Sequence, residues 1–248
     1  MTTIGINTLV YMNELKNGTV QSELLPIIAQ HGITLAEVRR EFIRDDAELD
    51  AIARVAANEG LDLFYSVPES LTIDGKEHPQ FLEFLQEAQR MGVKNVKFNQ
   101  GDIKDVDAQV IARIDAAASE YGVTLTIEND QTPENGTLEC TRASLEHIHD
   151  VHGCIGYTFD LGNWFWRNEN PDDAFEQLHD RITVFHLKNV NGAKTREELS
   201  TTMLEDGVID WQPMLTQLSE DIPVFLEFPI AAQDVAAQIA VVKSVVEA

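Results

Sequence analysis

The sequence predicts an α/β protein, a single (β/α)8 TIM barrel domain spanning residues 1–248. Three observations predict it. Short β-like runs alternate with longer stretches of helical period along the whole chain. Eight runs in 248 residues average 31 residues per unit, close to the roughly 30 residues of one βαβ repeat. No Pro- or Ser-rich linker and no charge run divides the chain. A doubly wound open sheet is the competing fold, but it usually brings a Gly-rich phosphate turn after its first strand, and this sequence has no GxGxxG.

The elements follow in order. The first run covers residues 4–9. The second, 33–39, follows Gly32, and the third, 61–67, follows Gly60; both glycines fit the position just past a helix end. The fourth, 95–99, is preceded by Phe81, Phe84, Leu85, Ala88 and Met91 at helical spacing, closed by Gly92. The fifth, 123–128, is preceded by Val110, Ile114, Ala117 and Tyr121, closed by Gly122. The sixth, 155–161, follows Gly153. Pro171, Asp172 and Asp173 then fit a helix first turn. The seventh run, 182–190, leads into the longest irregular stretch, 191–210, and a short helix near 211–219. In a compact domain a long loop is usually functional. The eighth run, 223–228, precedes a last helix carrying Val235, Ile239, Val242 and Val246.

Composition narrows the partners. The 18 Lys+Arg stand against 42 Asp+Glu, a formal net charge of −24. That argues against a protein with the basic face needed for nucleic acid, since nothing clusters Lys and Arg, and it disfavours an anionic membrane surface. No apolar run approaches the roughly 20 residues of a membrane span, and the N-terminus lacks the pattern of a signal peptide. Two cysteines, Cys140 and Cys154, are too few for a disulfide scaffold. The expected location is the cytoplasm, with self-association into a homo-oligomer left open.

Strand parity then points to chemistry. In a barrel, alternate strand residues face the lumen and the helix layer. Val123, Leu125 and Ile127 suit the helix layer, so Thr124, Thr126 and Glu128 face inward. The same test turns Asp160 inward, as well as Val184, His186 and Lys188, Glu227, and Lys97 with Asn99. Four consecutive strands thus end in Glu128, Asp160, His186 and Glu227, at the end of the barrel where such folds keep their active sites. Three carboxylates converging there without partners would repel one another and lose hydration. A divalent cation relieves both costs, and this oxygen-rich set suits Mn²⁺ or Mg²⁺, with Co²⁺ or Zn²⁺ as further candidates.

The segments LTIEND (125–130), YTFDLGNW (157–164), VFHLKNV (184–190) and VFLEFP (224–229) resemble the xylose isomerase-like superfamily of sugar isomerases and epimerases. Their order and intervals look like the metal quartet of ketose 3-epimerases and hydroxypyruvate isomerases. The resemblance implies that Glu128, Asp160, His186 and Glu227 bind one divalent metal and that Glu128 and Glu227 serve as acid and base. It implies a small carbohydrate substrate, which Lys188, Lys97, Asn163, Asp130, Trp164 and Arg196 would help to bind. The chain departs from the pattern in four places. Asp130 and Asn163 stand where relatives often have His, Asn189 stands where they often have Asp, and no Arg follows His186 closely.

Other residues carry competing readings. Lys97 and Lys188 would hold a substrate anion or else pair with Glu37 or another inward carboxylate. Glu37 and Arg39 share lumen parity and would pair with each other. Trp164, Phe165 and Trp166, with Tyr11, would form an aromatic rim or pack within loops. His147, His149 and His152 sit on an outer helix at a spacing that matches no zinc pattern, so a solvated face is expected. A phosphorylated substrate would find backbone N–H groups after Glu227, with Lys194 or Arg196. The leading function is metal-dependent isomerisation or epimerisation. The alternatives are a dehydratase of a keto-sugar acid or keto-polyol, an abasic-site endonuclease and a non-catalytic binding protein.

Overall fold

The structure is a computed structural model, and it describes residues 2–133 and 135–247. Eight parallel strands form the barrel: β1 (Ile4–Asn7), β2 (Leu35–Arg39), β3 (Asp62–Ile73), β5 (Asn95–Gly101), β6 (Thr124–Glu128), β7 (Gly156–Asp160), β8 (Ile182–Leu187) and β11 (Val224–Leu226). Each pairs with its predecessor in sequence, counting β3 with β5 and β8 with β11, and β1 pairs with both β11 and β2 to close the ring. A closed parallel ring removes the unpaired edges that an open sheet would expose. The eight predicted runs and the barrel fold are therefore borne out.

The helices between strands are α1 (Met12–Lys16), α2 (Gln21–Gln30), α3 (Asp46–Glu59), α4 (Phe81–Met91), α5 (Ala108–Tyr121), α6 (Leu138–Asp150), α7 (Asn163–Trp166), α8 (Pro171–Leu178), α9 (Gln212–Leu215) and α10 (Val235–Val246). The predicted stripe of α4, from Phe81 to Met91, is buried in full. In α5 the stripe is rotated slightly. Ile111 and Ala118 are buried with Val110 and Ile114, while Ala117 and Tyr121 only pack at its margin. Gly60, Gly92 and Gly122 close their helices in the left-handed region as expected. Gly153 does not. His152 takes the positive φ there, and Gly153 is needed because a Cβ would sit 2.7 Å from Ile111.

Two elements lie beyond the predicted ones. β3 runs past the barrel and folds back onto β4 (Lys76–Glu77) through Asp74-Gly75, both at positive φ. An Asp-Gly pair between strands is a strong hairpin signal and was available in the sequence. The segment after the seventh run is also less irregular than expected, because β9 (Asn189–Val190) pairs antiparallel with β10 (Thr201–Thr202).

The lower lumen is filled by Leu35, Val184 and Phe225, with Phe64 packed against them and its ring 5.2 Å from that of Phe225. Gly5 faces the same ring, and a Cβ there would stand 2.4 Å from it. An apolar plug of this kind is worth about 3–5 kcal/mol per large aromatic. It leaves only the upper strand ends for polar chemistry.

Candidate functional site

Polar side chains meet above the plug. Glu128 ends β6, Asp160 ends β7, His186 lies within β8, and Glu227 directly follows β11. All four are buried, and one ligand atom from each lies within 4.8 Å of the others. The sequence-predicted quartet is thus brought together.

Contrary to expectation, the carboxylates do not converge unpaired, because buried cations already meet them. Lys97 Nζ lies 2.7 Å from Glu128 Oε2, Lys188 Nζ lies 2.6 Å from Asp160 Oδ2 and 2.8 Å from Glu227 Oε2, and Arg39 Nη1 lies 2.7 Å from Glu227 Oε1. The expected pairing of Glu37 with Arg39 or a lysine is not found. Arg39 also reaches Glu41, and Glu37 instead faces His186, with Oε2 3.0 Å from Nε2 and a hydrogen bond from Asn7. The other face of the ring points inward. His186 Nδ1 lies 3.0 Å from Glu128 Oε1 and 3.7 Å from Glu227 Oε1.

These contacts set the protonation states. Burial acts to raise the carboxyl of Glu128, but Lys97 and the His186 hydrogen bond outweigh it and hold the group near 2. Glu227 is held well below the usual carboxylate range, because Lys188, His186, Arg39 and Lys97 overcome its burial. Burial raises Asp160 despite Lys188. Burial acts against the imidazolium of His186, yet Glu37, Glu227 and Glu128 together raise it to about 10. Burial likewise opposes the ammonium of Lys188, which Asp160 and Glu227 nonetheless stabilise.

Neighbouring loops hold these groups in place. Asn129 donates from Nδ2 to the Asp160 carbonyl and accepts at Oδ1 from the Asp160 N–H and the Tyr157 hydroxyl. The Asn163 N–H donates to Asp160 Oδ1, while its side chain bonds Gln131 and the Asn129 carbonyl. Asn163 therefore positions Asp160, with its own amide already engaged. Asp130 accepts from the Thr132 N–H and hydroxyl and shapes the turn after β6. Asn129 was not singled out by sequence reasoning, although it lies inside the LTIEND segment.

The expected aromatic rim is corrected at Trp164. Trp164 is fully buried and packs on Phe159 at 5.7 Å between ring centroids, so it belongs to the core. Phe165 and Trp166 pack at the core margin. Arg196 and Lys194 stand exposed on the loop after β9, outside the buried cluster. Tyr11 is buried, and burial beside Glu14 pushes its hydroxyl up to about 12. Among the three histidines on and after α6, His149 and His152 are exposed as expected, while His147 Nε2 lies 2.8 Å from the Val106 carbonyl. Cys140 and Cys154 are both free. A groove of 740 Å³ beside the β3–β4 hairpin is lined by His78, Phe81, Leu82 and Arg113 and by no member of the quartet.

The family model for the xylose isomerase-like TIM barrel matches residues 25–245. The chain belongs to that family. Several proteins of known structure share the whole barrel fold with it. The IOLI protein with a bound zinc atom is 18% identical, with a TM-score of 0.76 over 99% of this chain and 98% of the other. D-psicose 3-epimerase, solved with D-fructose, is 16% identical, with a TM-score of 0.72 over 100% of both chains. The probable 3-DHS dehydratase AsbF from Bacillus anthracis is 14% identical, with a TM-score of 0.71 over 98% of this chain and 99% of the other. At these identities the likeness shows the fold. In sequence, the uncharacterized protein YihM of Escherichia coli strain K12 is 27% identical over 153 residues, 58% of this chain. The match spans 43% of that relative's length. Among the described residues, no helix is long and apolar enough to cross a membrane.

The xylose isomerase-like barrel here has a donor set that fits a divalent cation. Three carboxylates and one imidazole are a hard ligand group. The ring of His186 is already turned so that Nδ1 faces Glu128 and Glu227 while Glu37 faces Nε2. A carboxylate behind a ligating histidine is a recurrent device that orients the ring and raises its basicity.

Proposed function

We propose that the chain is a divalent-metal-dependent isomerase or epimerase of a small sugar, sugar phosphate or hydroxy-carbonyl compound. Glu128, Asp160, His186 and Glu227 form its metal-ligand set, and Glu128 and Glu227 move the proton. The observation that carries this reading is the convergence of these four buried groups at the strand ends.

A divalent ion held there, Mn²⁺ or Mg²⁺ before Co²⁺ or Zn²⁺, would polarise a carbonyl and an adjacent hydroxyl and so acidify the neighbouring C–H. The chain supplies the rest. Glu128 is kept ionised by Lys97 and can accept a proton. Glu227, also ionised, comes from a different strand and can exchange a proton at a second position. Lys188, shared between Asp160 and Glu227, and Lys97 would hold developing negative charge on substrate oxygens. Asn163 and Asp130 fix the loops around them.

The test is incubation of Mn²⁺-loaded protein with a panel of ketoses in D₂O. Deuterium entering the carbon next to the carbonyl, abolished by Glu128→Gln, is the expected result. No exchange across the panel overturns the reading. The two buried lysines favour one second reading, dehydration of a keto-sugar acid, which would yield an unsaturated product absorbing in the near ultraviolet.

A further inference from the structure

Strand register creates a second polar row that the quartet does not include. Arg39 on β2 lies beside Ser66 on β3, and Ser66 lies beside Lys97 on β5. Side chains paired across adjacent parallel strands share a face of the sheet. Arg39 and Lys97 reach Glu227 and Glu128, so that face is the lumen. Ser66 shares it with Phe64 of the plug, two residues earlier.

Ser66 is fully buried, and its Oγ has no hydrogen-bond partner among the described residues. A buried hydroxyl without a partner is destabilising and calls for an explanation. Here it stands between two cations. Arg39 is the less enclosed of the two, with 12% of its side chain exposed against 3% for Lys97. The row therefore sets a guanidinium fork, a hydroxyl and an ammonium side by side on the lumen face. The ion pairs of Arg39 run through Nε and Nη1, to Glu41 and Glu227. The two ends of the row thus touch the two glutamates assigned to proton transfer.

We infer that Arg39, Ser66 and Lys97 form a subsite for an anionic oxygen group of the substrate, a carboxylate or a phosphate. Guanidinium, hydroxyl and ammonium are all donors to such oxygens, and the charged ones make the strongest hydrogen bonds. The inference rests on the sugar-isomerase reading, because the anion must belong to the molecule whose carbonyl sits at the quartet. It narrows the substrates to sugar acids or sugar phosphates.

The test is calorimetric binding of glucose, glucuronate and glucose 6-phosphate to the Mn²⁺-loaded full chain and to its Ser66→Ala variant. One of the two anions is expected to bind at least about tenfold tighter than glucose, and the alanine variant should lose most of that margin. The variant removes only an unpaired hydroxyl, so its melting temperature should not fall. A margin for glucuronate assigns a carboxylate, and one for glucose 6-phosphate assigns a phosphate. Equal binding of all three sugars, or a margin that survives Ser66→Ala, overturns the subsite. Deuterium exchange on neutral ketoses without an anion margin would overturn the subsite alone. A Ser66-dependent margin without any exchange would instead overturn the isomerase reading.

Discussion

His186 is held between two glutamates, with Nε2 3.0 Å from Glu37 Oε2 and Nδ1 3.0 Å from Glu128 Oε1. One nitrogen is thereby anchored to a residue outside the quartet while the other faces into it. Glu37→Gln keeps the shape and removes the charge that orients the ring. The variant should retain Mn²⁺ about 10–100-fold less tightly. Metal titration by calorimetry checks this, and unchanged affinity would sink the orienting role of Glu37.

The same contacts give the metal-free protein a pH dependence. His186 titrates near 6.5 when unfolded and near 10 in the folded chain, because burial is outweighed by Glu37, Glu227 and Glu128. A raised pKa contributes stability that is fully present below about 6.5 and lost as pH rises toward 10. Chelator-treated protein should therefore melt at progressively lower temperature across that window. Mn²⁺-loaded protein should show a flatter profile, since a metal ligand imidazole is already neutral. Parallel thermal scans with and without metal measure the difference.

Trp164 separates a core role from a rim role. It is fully buried against Phe159. Trp164→Ala should destabilise the fold by about 3–5 kcal/mol. Chemical denaturation gives that number. A variant of normal stability with weakened substrate binding would restore the rim reading.

Asn189 bonds as only an amide can. Its Nδ2 donates to the carbonyls of Leu204 and Ile209, and its Oδ1 accepts from the N–H groups of Val190 and Ile209. Asp at this position keeps the acceptor and loses both donors. Asn189→Asp should cost about 1–3 kcal/mol and loosen the segment between β9 and α9. Hydrogen exchange in residues 191–210 is the measurement, and unaltered protection there would contradict the role.

Much of the architecture was legible before any coordinates. The alternation of β runs with stripes such as that of α4 has a local cause: residues two apart share a strand face, and residues three or four apart share a helix face. The same local rule turned Glu128, Asp160, His186 and Glu227 inward at strand ends. The Asp74-Gly75 hairpin has an equally local cause, a pair of residues that tolerate positive φ. The burial of Trp164 was not legible, because an aromatic after a strand end suits a rim and a core equally well until its neighbours are known.

Residue patterning along the chain is enough to specify the barrel and to bring acids and a histidine to its strand ends. Tertiary structure decided how their charges are balanced. Glu227 meets Arg39 across 188 residues of chain, Glu128 meets Lys97, and Lys188 bridges Asp160 to Glu227. Which cation faces which carboxylate depends on barrel closure and on register between strands distant in sequence. No local spacing encodes either, and the same register sets Ser66, whose hydroxyl has no hydrogen-bond partner among the described residues, between two cations.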